Sequence, residues 1–540
     1  MGDAGTSATV PRSSPTPVQA GLPSVHPTAS FWQTSHPNRF THHRSTPELP
    51  TLADVVVIGT GISGTFAVDQ LLNQLESSAN VGSSLPNVLV LEARTLCSAA
   101  TGRNGGHLQP VVHAAPASIL DFEMKNFDHV SSIRESGNIQ CDFRRLSGCL
   151  GFWNETYFEE AKRDLTLASA KHAELVRVVE DAEQLRGLGL KGGVKGAIVQ
   201  TIAASLSPYK LCVGMWEGML KRFETKAESS AGRETDSKGK AVTLNLQTTT
   251  AVTSLERPQE DDGVHRWRLN TPRGCVHARS VILATNGYTS HLLPEFAPLI
   301  RPVQAQMSAL IPPSISPSNR GHDRRLIPMS YGFEGVGTMD RVMSDYLVQN
   351  PFVSRTISEQ QTDAASDNVN EGGHLMFGGG RHLAFNHGEQ CWDDDFVDKR
   401  VEKYLRTLPE RLDLVSDTDT GTGENDSTAQ QSSLDLAASW TGIIGHSADG
   451  HPWVGEVPDR PGIFLCGGYS GHGMTNAPLC GRYIARLALE DLGARLGGDD
   501  AARSLIRHGS EDVMMSEVNV DVPAEYLISR ERMETLSRGN

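Results

Sequence analysis

The sequence lacks the cysteine spacings of a metal site or a disulfide framework. Its eight cysteines include no CxxC pair, and none stands at zinc-ligand spacing from a histidine. We therefore predict reduced, scattered thiols in a reducing compartment, and no bound metal.

Long apolar runs and an excess of basic residues are also missing. No stretch of about 18 apolar residues predicts a membrane span, and the N-terminal residues show no apolar signal segment. The formal net charge of −15 disfavours binding to nucleic acid or to an anionic membrane surface. We expect a cytoplasmic protein whose partners are small molecules, with no nucleic acid and no membrane among them.

The chain is long enough for two or more domains, since it has 540 residues. Residues 1–50 are rich in Pro, Ser, Thr and His without periodicity, which predicts a mostly disordered arm. Its one apolar stretch, Ser30 to Trp32, is a candidate for packing against the folded part of the chain. The polar segments 354–373 and 414–434 are interpreted as surface insertions.

Between these segments the pattern predicts regular elements. Residues 155–187, rich in Glu, Lys, Ala and Leu, predict a helix. A second helix over 207–224 has Ser207 as N-cap and Pro208 at its first position. Strands are predicted over 241–256, 264–271, 274–284, 301–310, 343–349 and 463–467.

The strongest motif is DVVVIGTGISG, from Asp54 to Gly64. An apolar run without alternation is typical of a central parallel strand, and a helical stretch follows the glycines. In GxGxxG the first glycine permits a tight turn, the second lets a pyrophosphate approach, and the third lets helix pack on strand. The helix N-terminus then faces the phosphates. The predicted cofactor residues here are Gly59, Gly61, Ile62, Ser63 and Gly64.

An acid closes the next predicted strand, in the run VLVLE that ends at Glu92. It follows the glycines by more than the usual roughly 20 residues because 77–86 is loop-like. Glu92 would bind the ribose hydroxyls, and an acid disfavours a 2′-phosphate, so FAD or NAD fits and NADP does not. The alternative is a surface Glu that ends a strand. The neighbouring Ala93 and Arg94 are also predicted cofactor residues.

A glycine-rich loop, ATGRNGGH, follows closely. Such a loop can pass under a flavin and expose backbone N–H groups, which a fold that binds only NAD does not need. The alternative is an ordinary glycine-rich turn. The predicted cofactor residues of this loop are Ala100, Thr101, Arg103, Asn104, Gly105, Gly106 and His107.

Two later segments are also predicted to contribute to the dinucleotide-binding site. The run VILATNG ends in small residues near the dinucleotide, and GGYSGHGM precedes a helix whose N-terminus would face the flavin N1–C2=O edge. His472 is interpreted either as structural or as a flavin or substrate ligand. The remaining predicted cofactor residues are Val252, Ala284, Asn286, Gly287, Gly445, Gly468, Gly471, His472, Gly473 and Met474.

In this order, over roughly residues 30–490, these blocks resemble the D-amino-acid oxidase family of FAD-dependent enzymes, which includes glycine oxidase, sarcosine oxidase and γ-glutamylputrescine oxidoreductase. The resemblance implies a mixed α/β and α+β fold. A Rossmann-type FAD-binding domain would be discontinuous, and a substrate domain would carry a mostly antiparallel sheet. The expected FAD domain is 51–115, 240–300 and 436–500, the substrate domain 116–239 and 301–435, and the C-terminal extension 501–540.

The resemblance also implies chemistry. We expect oxidation of the C–N bond of a neutral amine or amino acid by hydride transfer to flavin N5, imine hydrolysis, and reoxidation by O2 or another acceptor. Arg103 occupies the position of a flavin-linking His in some relatives, so the FAD is expected to be non-covalent. Several relatives supply an Arg from a Tyr-x-x-x-Arg strand, but the run from Tyr346 lacks it. The catalytic candidates are Tyr346, Arg381 and His472.

Two alternatives stay open at this stage. One is an FAD monooxygenase or another flavoenzyme with a single Rossmann unit. The other is a flavin-binding protein that does not catalyse, because no catalytic base is obvious. A reductase with two nucleotide sites is disfavoured, since only one GxGxxG is present.

Overall fold

The computed structural model describes residues 17–77, 86–113, 115–167, 172–224, 243–258, 266–313, 326–338, 344–352, 372–414, 432–497 and 521–538. Most of the two predicted insertions, and residues 501–520 of the C-terminal extension, lie outside these ranges. The same holds for residues 1–16 of the predicted arm.

Strands of the described chain are numbered in chain order. They are β1 (Leu52–Ile58), β2 (Asn87–Leu91), β3 (His107–Leu108), β4 (Arg144–Phe152), β5 (Val176–Val179), β6 (Gly196–Ser205), β7 (Thr243–Gln247), β8 (Ser254–Glu256), β9 (Trp267–Thr271), β10 (Gly274–Leu283), β11 (Ile300–Leu310), β12 (Met329–Glu334), β13 (Asp345–Gln349), β14 (Leu375–Gly378), β15 (Leu436–Ser447), β16 (Trp453–Glu456) and β17 (Ile463–Gly467).

The α-helices are numbered in the same way. They are α1 (Phe31–Ser35), α2 (Ile62–Ser77), α3 (Ala117–Ser136), α4 (Glu155–Leu167), α5 (Ala182–Gly187), α6 (Pro208–Phe223), α7 (Thr289–Leu292), α8 (Lys399–Arg406), α9 (Gly473–Gly497) and α10 (Arg530–Arg538). No described helix is long and apolar enough to cross a bilayer.

The first sheet has the order β16-β17-β10-β1-β2-β7, with β9 and β8 added beside β10. Its centre is parallel: β1 pairs with β10 and with β2, and β2 pairs with β7. Val55, Val56 and Val57 are fully buried because both faces of β1 are covered. This arrangement places the carboxyl end of β1, and the glycine turn that follows it, in the middle of the sheet.

Helices α2 and α9 pack against each other on this sheet. Gly481 in α9 allows the close approach, because a Cβ there would lie 2.3 Å from the carbonyl oxygen of Ser63. The two helices follow β1 and β17, so both begin at the edge of the sheet where the parallel strands end. Their N-termini line the same cavity, at Ile62 and Gly473.

The second sheet has the order β15-β11-β14-β13-β12-β4-β6-β3, with β5 on β6. Its pairings are antiparallel except between β12 and β4, which run parallel. The prediction of a mostly antiparallel second sheet is confirmed. The predicted boundaries at 115 and 436 need correction, since β3 and β15 belong to this sheet. β15 pairs with β11 along its length, from Ile300↔Ser447 to Leu310↔Leu436.

The N-terminal segment is packed on the body, so the prediction of a mostly disordered arm is wrong over residues 17–50. Phe31, Trp32 and Phe40 are buried in the same core as α2 and α6. Polar side chains also anchor the segment: Trp32 Nε1 donates to the carbonyl of Asn104 at 2.6 Å, and Ser30 Oγ donates to that of Gly102 at 2.5 Å. We call residues 17–35 the N-terminal strap.

The cysteines are all free, and all lie in the described ranges. Six of them are buried, so apolar packing rather than covalent linkage is their structural role. Those six are Cys97, Cys141, Cys149, Cys212, Cys466 and Cys480.

Candidate cofactor and active site

One cavity of about 670 Å³ joins the two sheets. Its lining includes the turn after β1, at Gly61, and the strand β13 of the second sheet, at Tyr346. It also includes the start of α9, at Gly473. A cavity of this size, shared between a dinucleotide-type turn and a second sheet, can hold a cofactor and a small substrate together.

The turn between β1 and α2 depends on its glycines. Gly59 has a φ of +104°, and a Cβ on Gly64 would lie 2.0 Å from the carbonyl oxygen of Gly59. At Gly61 the nearest atom to an added Cβ is Thr101 Oγ1 at 3.2 Å, so the space beside it is otherwise open. The backbone can therefore be approached closely by a phosphate here. The first turn of α2 carries no acidic side chain that would repel it.

Glu92 lies buried at the end of β2 and lines the same part of the cavity. Its Oε2 accepts from the N–H and hydroxyl of Thr60 at 3.0 and 2.7 Å, and its Oε1 accepts from the N–H of Arg94 at 2.9 Å. These bonds hold the carboxylate in place. Each oxygen has further acceptor capacity, so the group fits the ribose hydroxyls of a dinucleotide.

The loop before β3 packs against the second sheet. Gly106 has a φ of +80°, and a Cβ there would lie 1.9 Å from the carbonyl oxygen of Leu206. Gly105 packs on the ring of Tyr346 and donates its N–H to the phenol oxygen at 2.7 Å. The loop therefore brings Asn104 and His107 to the cavity beside Tyr346.

The start of α9 reaches the cavity from the other side. Gly471 has a φ of +93°, and the His472 N–H donates to the Tyr469 carbonyl at 2.8 Å. The His472 carbonyl in turn accepts from Asn476 Nδ2 at 3.0 Å. These bonds fix the backbone of the loop, and the helix N-terminus provides a partial positive charge at the cavity.

The structure brings most of the predicted cofactor residues together. The following line the cavity: Gly59, Gly61, Ile62, Ser63, Glu92, Ala93, Ala100, Thr101, Arg103, Asn104, His107, Val252, Ala284, Asn286, Gly287, Gly471, His472, Gly473 and Met474. Those behind the described wall are Gly64, Arg94, Gly105, Gly106, Gly445 and Gly468. Gly64 and Gly106 are among these six, and both allow a close backbone approach beside a residue of the wall.

Gly445 and Gly468 illustrate this supporting position. A Cβ on Gly445 would lie 2.5 Å from Asn286 Oδ1, and the Gly468 N–H donates to that same oxygen at 3.0 Å. The two glycines thus position Asn286, which itself lines the cavity.

Two predicted cofactor arginines have other partners. Arg94 forms a buried ion pair with Asp394, so its guanidinium is unavailable to a cofactor. Arg103 donates from Nη1 to the Thr441 carbonyl and from Nη2 to the Thr28 carbonyl, both at 2.8 Å. Burial lowers the pKa of Arg103 to about 10, so it remains a cation near neutral pH. The assignment of Arg94 and Arg103 as cofactor residues stays a prediction, and Arg103 lines the cavity.

The three catalytic candidates all line the cavity. Burial raises the pKa of Tyr346 to about 12, so its phenol is neutral. Arg381 donates from Nη2 to Glu389 Oε1 at 3.0 Å, and its Nη1 lies 3.3 Å from His446 Nε2. Burial and the neighbouring arginines lower the pKa of His446 to about 3, so this imidazole is neutral.

Sequence reasoning missed other residues of the wall. Asp345 lines the cavity, and its carboxylate accepts from the Gly380 N–H at 2.7 Å and from the Tyr404 hydroxyl at 2.5 Å. Burial raises the pKa of Asp345 to about 6. A charged residue at the start of a predicted buried strand is the signal that could have found it. No comparable signal marks His446, or the strap residues 21–23 that also line the cavity.

The chain belongs to the FAD dependent oxidoreductase family, whose family model matches residues 54–487. It is 26% identical to the γ-glutamylputrescine oxidoreductase of Escherichia coli over 459 residues, which cover 81% of this chain and 84% of that protein. It is 22% identical to a probable oxidoreductase of Rhizobium meliloti over 487 residues, 86% of this chain and 89% of that protein.

Solved structures share the fold. Glycine oxidase from Geobacillus kaustophilus matches with a TM-score of 0.52 and 17% identity, over 81% of this chain and 95% of that one. L-Proline dehydrogenase from P. horikoshii matches with a TM-score of 0.53 and 16% identity, over 81% and 94%. The predictions of the family, the fold class and the FAD cofactor are confirmed, and the protein is an FAD-dependent oxidoreductase.

Proposed function

We propose that the protein oxidises the C–N bond of a small amine or amino acid, with FAD held non-covalently. The observation that carries this proposal is that one continuous cavity runs from the glycine turn at Gly61 to Tyr346, Arg381 and His472. A cofactor held at the first end would place its reactive ring toward the second. The amine-oxidising relatives named above support the same choice.

The described residues fit FAD. The N–H groups at the start of α2, with Gly61 to Ser63, would hold the diphosphate, and Glu92 would hold the adenosine ribose. The loop that carries Asn104 and the N-terminus of α9 would hold the flavin ring. Bound there, FAD supplies the hydride acceptor, N5, and the family chemistry ends in hydrolysis of the imine and transfer of electrons to O2 or another acceptor.

The side chains at the substrate end bind and orient. Arg381 would bind the carboxylate of an amino-acid substrate, in competition with Glu389, which lies 3.0 Å from it. Tyr346 and His446 are both uncharged near neutral pH, because burial disfavours their ionised forms. These two neutral side chains do not stabilise an ammonium ion by charge, so they favour an amine in its neutral form.

We further propose a cytoplasmic location and small-molecule partners alone. The eight free thiols support the location, because a reducing compartment leaves thiols unpaired. The net charge of −15 supports the exclusion of nucleic acid and anionic membranes.

The test is anaerobic bleaching of the flavin in the purified protein. Members of a panel of amines and amino acids should bleach the flavin absorbance. Admission of air should restore the absorbance with release of peroxide. If the natural acceptor is not O2, an added dye should restore it and become reduced. Bleaching by NADPH and not by amines would identify a monooxygenase. A flavin that no donor bleaches would identify a binding protein without catalysis.

A further inference from the structure

His107 occupies a fixed position in the cavity wall. It is the last residue of the glycine loop and the first of β3, where it pairs with Ser205 of β6. Its ring stacks on that of Tyr346, with centroids 5.7 Å apart and planes inclined by 19°. Since the phenol oxygen of Tyr346 is itself held by the Gly105 N–H at 2.7 Å, the imidazole has a defined face and direction.

The hydrogen bonds of His107 define its tautomer. Nε2 lies 2.8 Å from Gln109 Oε1, an oxygen that also accepts from the Ser330 hydroxyl at 2.9 Å. An amide oxygen only accepts, so with the Gln109 amide in this orientation the histidine proton is assigned to Nε2 and the lone pair to Nδ1. Within the described residues, Gln109 is the hydrogen-bond partner of this ring, and Nδ1 is left for a ligand.

The ring is neutral under ordinary conditions. Burial lowers the pKa of His107 to about 4, with a smaller contribution from the nearby His472, while Gln109 opposes the shift. Other titratable or charged side chains reach the same cavity from the neighbouring elements. They are Glu92, Arg103, His113, Tyr288, His291, Glu334, Asp345, Tyr346, Arg381, His446, Tyr469 and His472.

We propose that Nδ1 of His107 accepts a hydrogen bond from the N–H of the reacting amine and thereby orients it beside Tyr346. This inference rests on the proposed function. An amine gives up hydride only when its nitrogen is unprotonated, and such a nitrogen needs an acceptor that does not itself stabilise the ammonium form. A neutral imidazole provides that acceptor, whereas a carboxylate would favour the cation.

The first experiment compares flavin reduction in two His→Phe variants. His107→Phe keeps an aromatic ring to stack on Tyr346 but removes the acceptor. We expect the reduction rate at saturating amine to fall at least tenfold, the effect of losing about one good hydrogen bond. His277→Phe, on β10 and outside the cavity lining, should react as the wild type does. FAD content and melting temperature show whether each variant is folded and loaded.

The second experiment changes the partner of His107. In Gln109→Glu a carboxylate faces Nε2–H and stabilises the imidazolium, which has no lone pair on Nδ1. Histidine NMR should show the pKa of His107 move upward by at least one pH unit, and the ratio of the variant's reduction rate to that of the wild type should fall as the imidazolium forms toward acid pH. In Gln109→Leu this upward movement should be absent.

The outcomes separate the inference from the proposed function. If amines bleach the wild type and His107→Phe reacts within twofold of it, the role of His107 is wrong and the proposed function stands. The same conclusion follows if the pKa of His107 rises in Gln109→Glu with no fall in the ratio of reduction rates toward acid pH. If no amine bleaches the wild type, the proposed function fails first.

Discussion

Asp394 holds Arg94 in a two-pronged ion pair, with Nη1–Oδ1 and Nη2–Oδ2 distances of 2.8 and 2.9 Å. Oδ2 of Asp394 also lies 3.2 Å from Nε of Arg103, and its backbone carbonyl accepts from the Thr28 N–H at 2.7 Å. One buried residue thus connects the N-terminal strap, the glycine loop and the segment between β14 and α8.

Asp394→Asn should be strongly destabilising. Two buried guanidinium groups would lose their carboxylate, and breaking such a pair typically costs about 3–5 kcal/mol. The urea midpoint of the apoprotein measures this loss. Asp459→Asn, which removes an exposed ion pair with Arg530, is the control and should leave the midpoint unchanged. Equal effects of the two variants would contradict a structural role for the buried cluster.

Shortening the N-terminal strap should speed the loss of FAD. Residues 21–23 line the cavity, and Gln19 and Ala20 are tied to His291 and Ser290 at its edge. Deletion of residues 1–28 removes this wall together with the Thr28 contacts, so flavin fluorescence should recover at least tenfold faster after dilution. Deletion of residues 1–16 alone is the control. Release at the wild-type rate in the longer deletion would show that the strap does not retain the cofactor.

Two glycine substitutions in the same turn should have different effects. Gly64→Ala places a Cβ 2.0 Å from a backbone oxygen, so the turn must distort and the protein should lose stability as well as FAD. Gly61→Ala meets only a hydroxyl at 3.2 Å, so the protein should fold and bind FAD more weakly. Thermal unfolding of the apoproteins and FAD titration separate the two effects. Normal FAD affinity in Gly61→Ala would argue against a diphosphate at that position.

Acid should destabilise the protein partly through His374. Its ring is buried, both nitrogens lack hydrogen bonds within the described chain, and burial lowers its pKa to about 4. Because the unfolded chain binds the proton first, stability is lost as pH falls from about 6.5 toward 4. Relative to wild type, His374→Phe should gain about 2 kcal/mol between pH 7.5 and pH 5. Parallel pH curves for the two proteins would exclude this source of acid sensitivity.

Arg381 should control the affinity for substrates that carry a carboxylate. Arg381→Lys loses the planar fork, so the KM for amino acids should rise about tenfold while the KM for amines without a carboxylate stays unchanged. Glu389→Gln removes the competing carboxylate at 3.0 Å and should lower the KM for amino acids. Steady-state kinetics on matched amine and amino-acid pairs measures both. A uniform rise over all substrates would instead indicate a packing role.

The dinucleotide end of the site was accessible from the sequence because local backbone rules define it. Gly59 and Gly64 are required by φ and by close packing, and Glu92 ends a strand whose pattern is plain. Such constraints act over a few residues and leave a readable pattern. The roles of individual cofactor residues stay predictions.

Long-range pairing explains what the sequence did not reveal. The predicted helix over 155–187 is interrupted by β5, because Val176–Val179 gains a partner strand in β6, which lies later in the chain. The contacts of Asp394 are also long-range. Arg94 and Thr28 both bind this residue, and each lies about 300 or more positions from it in the chain. Spacing along the chain contains no sign of either contact.

The burial of the thiols affects how readily peroxide formed during turnover can oxidise the protein. Burial raises the pKa of Cys149 and Cys466 to about 12 and that of Cys141 to about 11. Peroxide attacks the thiolate form, and no cysteine is among the described residues that line the cavity. With O2 as acceptor, each turnover would generate an oxidant in the cavity, while these three thiols are buried in their protonated form. The burial of these thiols would then limit their oxidation by the peroxide that the enzyme itself produces.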